Sequence, residues 1–232
     1  MFQKETVSAI IVAAGVGQRF GGDKLLLSLA GKPVIIHTVS AFVASKYIDE
    51  IIIVCHPHKI KSDEKLLRQT FPQANLQFVT GGEERWQSSL AGIQATSSDL
   101  IAIHDAARPL ITTEQIDDSI KLASRFGAAM VAAPATDSIK IIDKNGDIAD
   151  SLDRSQIYLA QTPQTFRKEL ILQAFDQAAK QKYQNMTDES ELITKFLHRS
   201  LKIVPSSNQN LKITFRHDLP LAETFYHLKQ EK

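Results

Sequence analysis

The chain has 232 residues, 43% of them apolar and 23% charged, the balance of an ordinary globular protein. Twenty-seven Lys and Arg against 26 Asp and Glu leave a formal net charge of +1, which excludes a polyanion-coating surface, so an anionic ligand must be met by a few focused cations. The single cysteine, Cys55, excludes an intrachain disulfide and a cysteine-cluster metal site, and with no bilayer-length apolar run and no signal-peptide pattern over residues 1–6 the sequence reads as cytoplasmic, without membrane or nucleic-acid partners.

Short apolar runs alternate with helical spacing along most of the chain. Residues 7–13 read as a strand, followed by a glycine-bearing loop and then Ile35, Val39 and Phe42 at helical spacing. Strands are expected at 50–55 and 76–79, a helix through Trp86, Leu90 and Ile93, and a strand at 100–103. Ile116, Ile120 and Ala123 mark a further helix, and 128–133 a further strand. Several of these strands are apolar throughout, as expected where helices cover both faces of a parallel sheet. The repeated alternation predicts an α/β fold, a doubly wound, mostly parallel sheet. Ligands of such sheets bind in the loops beyond the carboxyl ends of the strands.

Residues 137–154 break the pattern. Asn145-Gly146, between Ile139 and Ile141 on one side and Ile148 on the other, is a hairpin signal, and a two-stranded ribbon needs something to pack against. This predicts a β-arm over 137–154 that projects from the domain and docks on a second subunit; the alternative is a hairpin folded back on its own domain. Residues 170–179 and 190–197 then read as helices, 201–204 and 211–215 as strands, and Leu221, Phe225 and Leu228 as a closing helix. With no repeat or linker in the chain, one domain over 1–232 plus the arm is expected.

The loop after the first strand reads Ala13-Ala14-Gly15-Val16-Gly17-Gln18-Arg19-Phe20-Gly21-Gly22-Asp23-Lys24. Glycines there let the backbone approach a phosphate, with amides and basic side chains as donors. Phe20 stands where the dinucleotide fingerprint requires glycine, and Asp23 and Leu25 break the Walker A pattern. What remains is a loop with two cations, Arg19 and Lys24, suited to clamping a triphosphate; a surface turn with solvated charges is the alternative.

Five further motifs follow in order: Gly81-Gly82-Glu83-Glu84-Arg85-Trp86-Gln87-Ser88, His104-Asp105-Ala106-Ala107-Arg108-Pro109, Thr162-Pro163-Gln164-Thr165-Phe166, Thr187-Asp188-Glu189 and Asn210-Leu211-Lys212-Ile213-Thr214. With the glycine loop they resemble the nucleotidyltransferases that build nucleoside-diphosphate sugars and alcohols. Over residues 7–226 the chain resembles the 2-C-methyl-D-erythritol 4-phosphate cytidylyltransferase family of the non-mevalonate isoprenoid pathway. That family commonly has Pro-Lys-Gln and an aromatic where this chain has Asp23-Lys24-Leu25-Leu26, a variant also similar to the guanylyltransferases of molybdenum cofactor assembly.

The resemblance implies a Rossmann-like, GT-A-like fold and transfer of CMP from CTP to 2-C-methyl-D-erythritol 4-phosphate, with magnesium or another divalent cation facing Asp105. It implies that groups of Ala13, Ala14, Gly15, Gly17, Gly81, Gly82, Glu83 and Ser88 hold CTP. Arg19 and Lys24 would stabilise triphosphate charge, and Arg154 and Lys212 would orient the attacking phosphate. Asp105, Ala106, Arg108, Ser138, Thr162 and Thr187 would meet the alcohol phosphate, with Ser138 and Arg154 contributed across a homodimer by the arm.

The residues by themselves leave other readings open. Ser88 could be an exposed helix serine, Arg154 could pair with Asp150 or Asp153, and Thr187 could cap the helix after it. Lys212 alternates away from the core toward the cleft or solvent, Asp218 is expected to cap the last helix, and His104 is expected to pack rather than catalyse. His56 and His58 read as a solvated loop. Ribitol 5-phosphate as acceptor, guanylyl transfer to a pterin cofactor, and a non-catalytic nucleotide sensor are the rival functions.

Overall fold

The computed structural model describes every residue except Met1, Gln3, Val16, Gln18, Arg19, Asn185, Glu231 and Lys232. In chain order, β1 (Val7–Val12) precedes a small hairpin of β2 (Ser28–Leu29) and β3 (Lys32–Pro33), then α1 (Val34–Val43), β4 (Glu50–Cys55), α2 (Ile60–Thr70) and β5 (Leu76–Thr80). Next come α3 (Arg85–Gln94), β6 (Leu100–Asp105), α4 (Thr113–Phe126) and β7 (Ala128–Pro134). A ribbon of β8 (Lys140–Ile142) and β9 (Ile148–Ser151) follows, then β10 (Tyr158–Arg167), α5 (Lys168–Lys180), α6 (Glu189–Leu197), β11 (Lys202–Pro205) and α7 (Asp218–Gln230).

Seven strands form one sheet in the order β11-β7-β10-β6-β1-β4-β5. Alternate residues of the apolar strands feed opposite cores. Val7, Ala9, Ile11, Ile51, Ile53, Leu100 and Ala102 pack with α1, α2, α4 and α7. Ile10, Ile52, Val54, Ile101 and Ile103 pack with α3, α5 and α6. Both faces are thus covered by helices, which is why these strands read as unbroken apolar runs rather than as alternation.

One strand runs against the rest: β10 is antiparallel to both β6 and β7, while the other pairings of this sheet are parallel. It carries no strand signal because Gln161, Thr162, Gln164 and Thr165 are polar and Pro163 lacks an N–H, yet all four polar residues are buried. Their groups are paired: the Thr165 hydroxyl meets that of Ser119 at 2.8 Å, and Gln164 Oε1 accepts from Ser190 N at 2.8 Å. The strand bulges around the cis Thr162–Pro163 peptide, where its register with β7 jumps from Ala160 opposite Ala132 to Gln164 opposite Met130.

The expected strand at 211–215 is not one. The segment crosses above the carboxyl ends of the strands, tied to the sheet by Ile213 N donating to Ala107 O at 2.9 Å, so its alternation reflects one anchored side chain, Ile213, beside one turned into the cleft, Lys212. The ribbon forms where Asn145-Gly146 placed it, with Gly146 at φ 90° and Asp143 Oδ1 accepting from Asn145 N at 2.8 Å and Asp147 N at 3.0 Å. All of β8 and β9 is exposed, Ile142 by 65% and Ile148 by 68%, so the ribbon does not lie folded on the body of this chain. Among the described residues no helix is long and apolar enough to cross a membrane.

Candidate active site

An open cleft lies at the carboxyl ends of β1 and β6, under the glycine loop and the start of α3. Its floor is Asp105, the last residue of β6, held in place by Ala106 N donating to Val12 O at 3.1 Å. Three cations converge on this buried carboxylate. Arg85 Nε is 3.0 Å from Oδ1, while Lys212 Nζ lies 2.8 Å and Arg108 Nε 3.6 Å from Oδ2. Burial by itself would raise the Asp105 carboxyl, but Arg85, Lys212 and Arg108 hold it well below the usual carboxylate range.

Arg85 reaches further. Its Nη1 donates to both oxygens of Glu189, at 2.7 and 2.9 Å, and Glu189 is only 1% exposed. Burial acts to lower the Arg85 guanidinium, and Glu189 and Asp105 outweigh it, so it stays charged. The start of α3, the end of β6 and the first turn of α6 are therefore joined by one guanidinium. Sequence reasoning gives Arg85 no role and Glu189 only a place in the first turn of a helix, although both lie inside the quoted motifs. Their 104-residue separation is closed only by the topology.

Behind the floor, Asp105 N donates to Thr162 Oγ1 at 3.1 Å, Thr162 Oγ1 lies 3.0 Å from His104 Nδ1, and His104 Nε2 lies 3.1 Å from Arg108 O. A carbonyl only accepts, so the pattern assigns the proton to Nε2 and makes the Thr162 hydroxyl donate to Nδ1. Complete burial holds the His104 imidazole neutral, pushed down to about 4, and its role is structural. Thr162 is buried in this relay, behind the cleft rather than on its lining.

On the glycine-loop side of the cleft, a Cβ on Gly81 would stand 2.4 Å from Ala14 Cβ and 2.6 Å from Ser88 Oγ. Only glycine lets the loop after β5 close on the loop after β1. Ser88 is buried at 2% rather than an exposed helix residue, and its Oγ accepts from Gly82 N at 3.2 Å. Gly17, at φ 67°, turns the glycine loop so that Phe20 N and Gly21 N both donate to Gly17 O at 2.9 Å, and buried Phe20 pins that turn. Lys24 opens a short 3-10 turn (Lys24–Leu26), lines the cleft, and donates from Nζ to Ile213 O at 2.7 Å.

The structure thus brings Ala13, Ala14, Gly15, Gly17, Lys24, Gly82, Glu83, Ser88, Asp105, Ala106 and Lys212 onto one cleft, together with Arg85. Gly81 lies just behind it. Arg108 lies beneath the floor, donating to Asn210 O at 2.8 Å. Thr187 stands beside α6 without capping it: Asp188 is the cap, accepting from Glu191 N at 3.1 Å, while the Thr187 hydroxyl donates to Glu191 Oε2 at 2.9 Å. Asp218 begins α7 and accepts from Thr214 N and Phe215 N, each at 2.7 Å, which folds the preceding loop. Ser138 and Arg154 flank the ribbon, away from the cleft lining of this chain, and Arg154 donates to Thr136 O at 2.9 Å rather than pairing with Asp150 or Asp153. Arg19 lies outside the described residues. Among the described residues no group of three or more His, Cys, Asp or Glu is placed to cage a metal ion.

The family model for IspD, 2-C-methyl-D-erythritol 4-phosphate cytidylyltransferase, matches residues 7–228. A relative of that name from Caldanaerobacter subterraneus subsp. tengcongensis is 40% identical over 224 residues, covering 94% of this chain and 98% of the relative. Another from Clostridium botulinum is 38% identical over 221 residues, covering 94% and 97%. Among solved structures, the 4-diphosphocytidyl-2C-methyl-D-erythritol synthase of Anaerococcus prevotii superposes with a TM-score of 0.86 at 29% identity over 96% of both chains. The 2-C-methyl-D-erythritol 4-phosphate cytidylyltransferase of Thermus thermophilus gives 0.74 at 26% identity over 94% of this chain and 98% of that one.

Proposed function

Because the chain belongs to the 2-C-methyl-D-erythritol 4-phosphate cytidylyltransferase family, we propose that its cleft transfers CMP from CTP to 2-C-methyl-D-erythritol 4-phosphate and releases pyrophosphate. The observation that carries the reading is the Asp105 cluster, three cations against two carboxylates, set beside a glycine loop bearing Lys24 on a nearly neutral chain. Such focused charge suits a reaction whose obstacle is the mutual repulsion of two anionic substrates.

An oxygen of the acceptor's phosphate attacks the α-phosphorus of CTP, and the bond from that phosphorus to the bridging oxygen breaks as pyrophosphate leaves. A phosphate monoester has a second pKa near about 6, so the nucleophile is already ionised at neutral pH and no general base is required. What the chain supplies is charge neutralisation and in-line alignment. Lys24 and Arg19 act on the triphosphate, and Lys212 and Arg154 on the attacking phosphate. Main-chain groups around Ala13, Ala14, Gly15, Gly17, Gly81, Gly82 and Glu83, with the Ser88 hydroxyl, hold cytosine and ribose. A fixed carbonyl there favours cytosine, whose amino group donates where uracil has only an acceptor. Asp105, Ala106 and Arg108 bound the acceptor's side, and Thr162 and Thr187 shape it from behind.

Asp105 is the buried carboxylate of the cleft floor, and its oxygens already face Arg85 and Lys212. Magnesium prefers few carboxylates together with phosphate oxygens, so Asp105 would serve it without a protein cage only by giving up one of these cations to the triphosphate. Asp105 would face magnesium or another divalent cation, which when bound supplies further neutralisation of triphosphate charge. The exposed ribbon suits docking on a second copy, bringing Ser138 and Arg154 to the partner's cleft.

Pyrophosphate release measured with CTP, GTP, UTP and ATP, each against methylerythritol phosphate and ribitol 5-phosphate, tests the reading. Release confined to CTP with methylerythritol phosphate is expected. Release with ribitol 5-phosphate alone, or with GTP in place of CTP, would overturn it.

A further inference from the structure

Asp23 is the first of the residues at which the loop departs from the Pro-Lys-Gln pattern, and it does not line the cleft. Its two carboxylate oxygens are nevertheless both engaged. Oδ1 accepts from Leu25 N at 3.3 Å, capping the 3-10 turn that begins at Lys24, and Oδ2 pairs with Lys59 Nζ at 2.6 Å. Lys59 closes the turn after β4, where its N donates to His56 O at 2.9 Å, and it immediately precedes α2. The ion pair therefore ties the loop after β1 to the loop after the neighbouring parallel strand.

The turn is fixed from its other sides as well. Leu25 is buried in the core, and Lys24 Nζ donates to Ile213 O at 2.7 Å. A lysine head rides on four flexible methylenes, so the placement of its backbone decides where the ammonium can go. We propose that Asp23 is a positioning residue, which through Leu25 N and Lys59 sets the turn that presents Lys24 to the phosphates of the nucleotide. This rests on the reading of the cleft given above. Asp23 and Lys59 are each about one-third exposed, so their pairing adds little to global stability and its effect falls on turnover.

A double-mutant cycle on the full chain, assayed with CTP and methylerythritol phosphate, tests the role. Asp23→Ala is expected to lower kcat about 10-fold, as for a slight misplacement of a charge-stabilising group, with a thermal midpoint close to wild type. Asp23→Asn keeps the volume and an acceptor for Leu25 N, and is expected to lower kcat less. In the Lys24→Ala background, Asp23→Ala is expected to slow turnover no further, because a residue acting through Lys24 has nothing left to position. Full additivity of the two substitutions, or wild-type kcat in Asp23→Ala, would overturn this role alone. Wild-type kcat in Lys24→Ala would overturn it together with the reading of the cleft.

Discussion

Asp105 and His104 are adjacent in sequence and opposite in behaviour. Both are buried, but Asp105 has three cations within reach and stays ionised, whereas His104 meets a hydroxyl and a carbonyl and stays neutral. Burial drives the His104 imidazole down to about 4 from an unfolded value near about 6.5. Across that interval the unfolded chain binds the extra proton, so the contribution of His104 is complete above the unfolded value and is lost as pH falls toward the folded one. Wild type should lose roughly 3 kcal/mol from this group between about pH 6.5 and 4, and urea midpoints of His104→Asn should fall less steeply over the same interval. Asp105 acts in the same direction at lower pH: its depressed carboxyl stabilises the fold above about pH 3.9 and yields only below it. The chemistry-bearing types at 105 and 212 could be read from the sequence. Their engagement with Arg85 and Glu189 could not, since no local spacing brings residues 85 and 189 together.

At the scale of elements, the parallel strands were legible because burial on both faces leaves an unbroken apolar run, as in β4 and β6. The polar strand β10 was invisible for the converse reason: its buried groups bond to α4, α6 and the 206–210 loop, so its residues look like a loop's. The segment at 211–215 was misread because its alternation arises from crossing over the sheet rather than from joining it. The contact between the loops after β1 and β5 offers a sharper check. Gly81→Ala would push a methyl group against Ala14 and Ser88, so a loss of about 1–3 kcal/mol in urea unfolding is expected, with weaker CTP binding in titration calorimetry. The ribbon should respond differently. Under the proposed docking of the ribbon on a second copy, Ile148→Asp on this fully exposed strand should leave the far-UV circular dichroism unchanged while sedimentation velocity shows a shift toward the monomer and activity falls at low protein concentration.

Over the whole molecule, 27 basic and 26 acidic residues nearly cancel, so attraction for anions comes from placement: Lys212, Arg85 and Arg108 around one carboxylate at the carboxyl edge of the sheet. That edge is assembled out of order. β7 has no partner in the sheet except β10 and β11, and β10 also closes the open side of β6. During synthesis the first strands to emerge, β1, β4, β5 and β6, can pair among themselves, while β7 waits unpaired until the far side of the ribbon has left the ribosome. A nascent chain halted within the ribbon would carry the open side of β6 and both sides of β7, apolar and unmatched, and would be a ready target for chaperones or for cross-pairing with another unfinished chain.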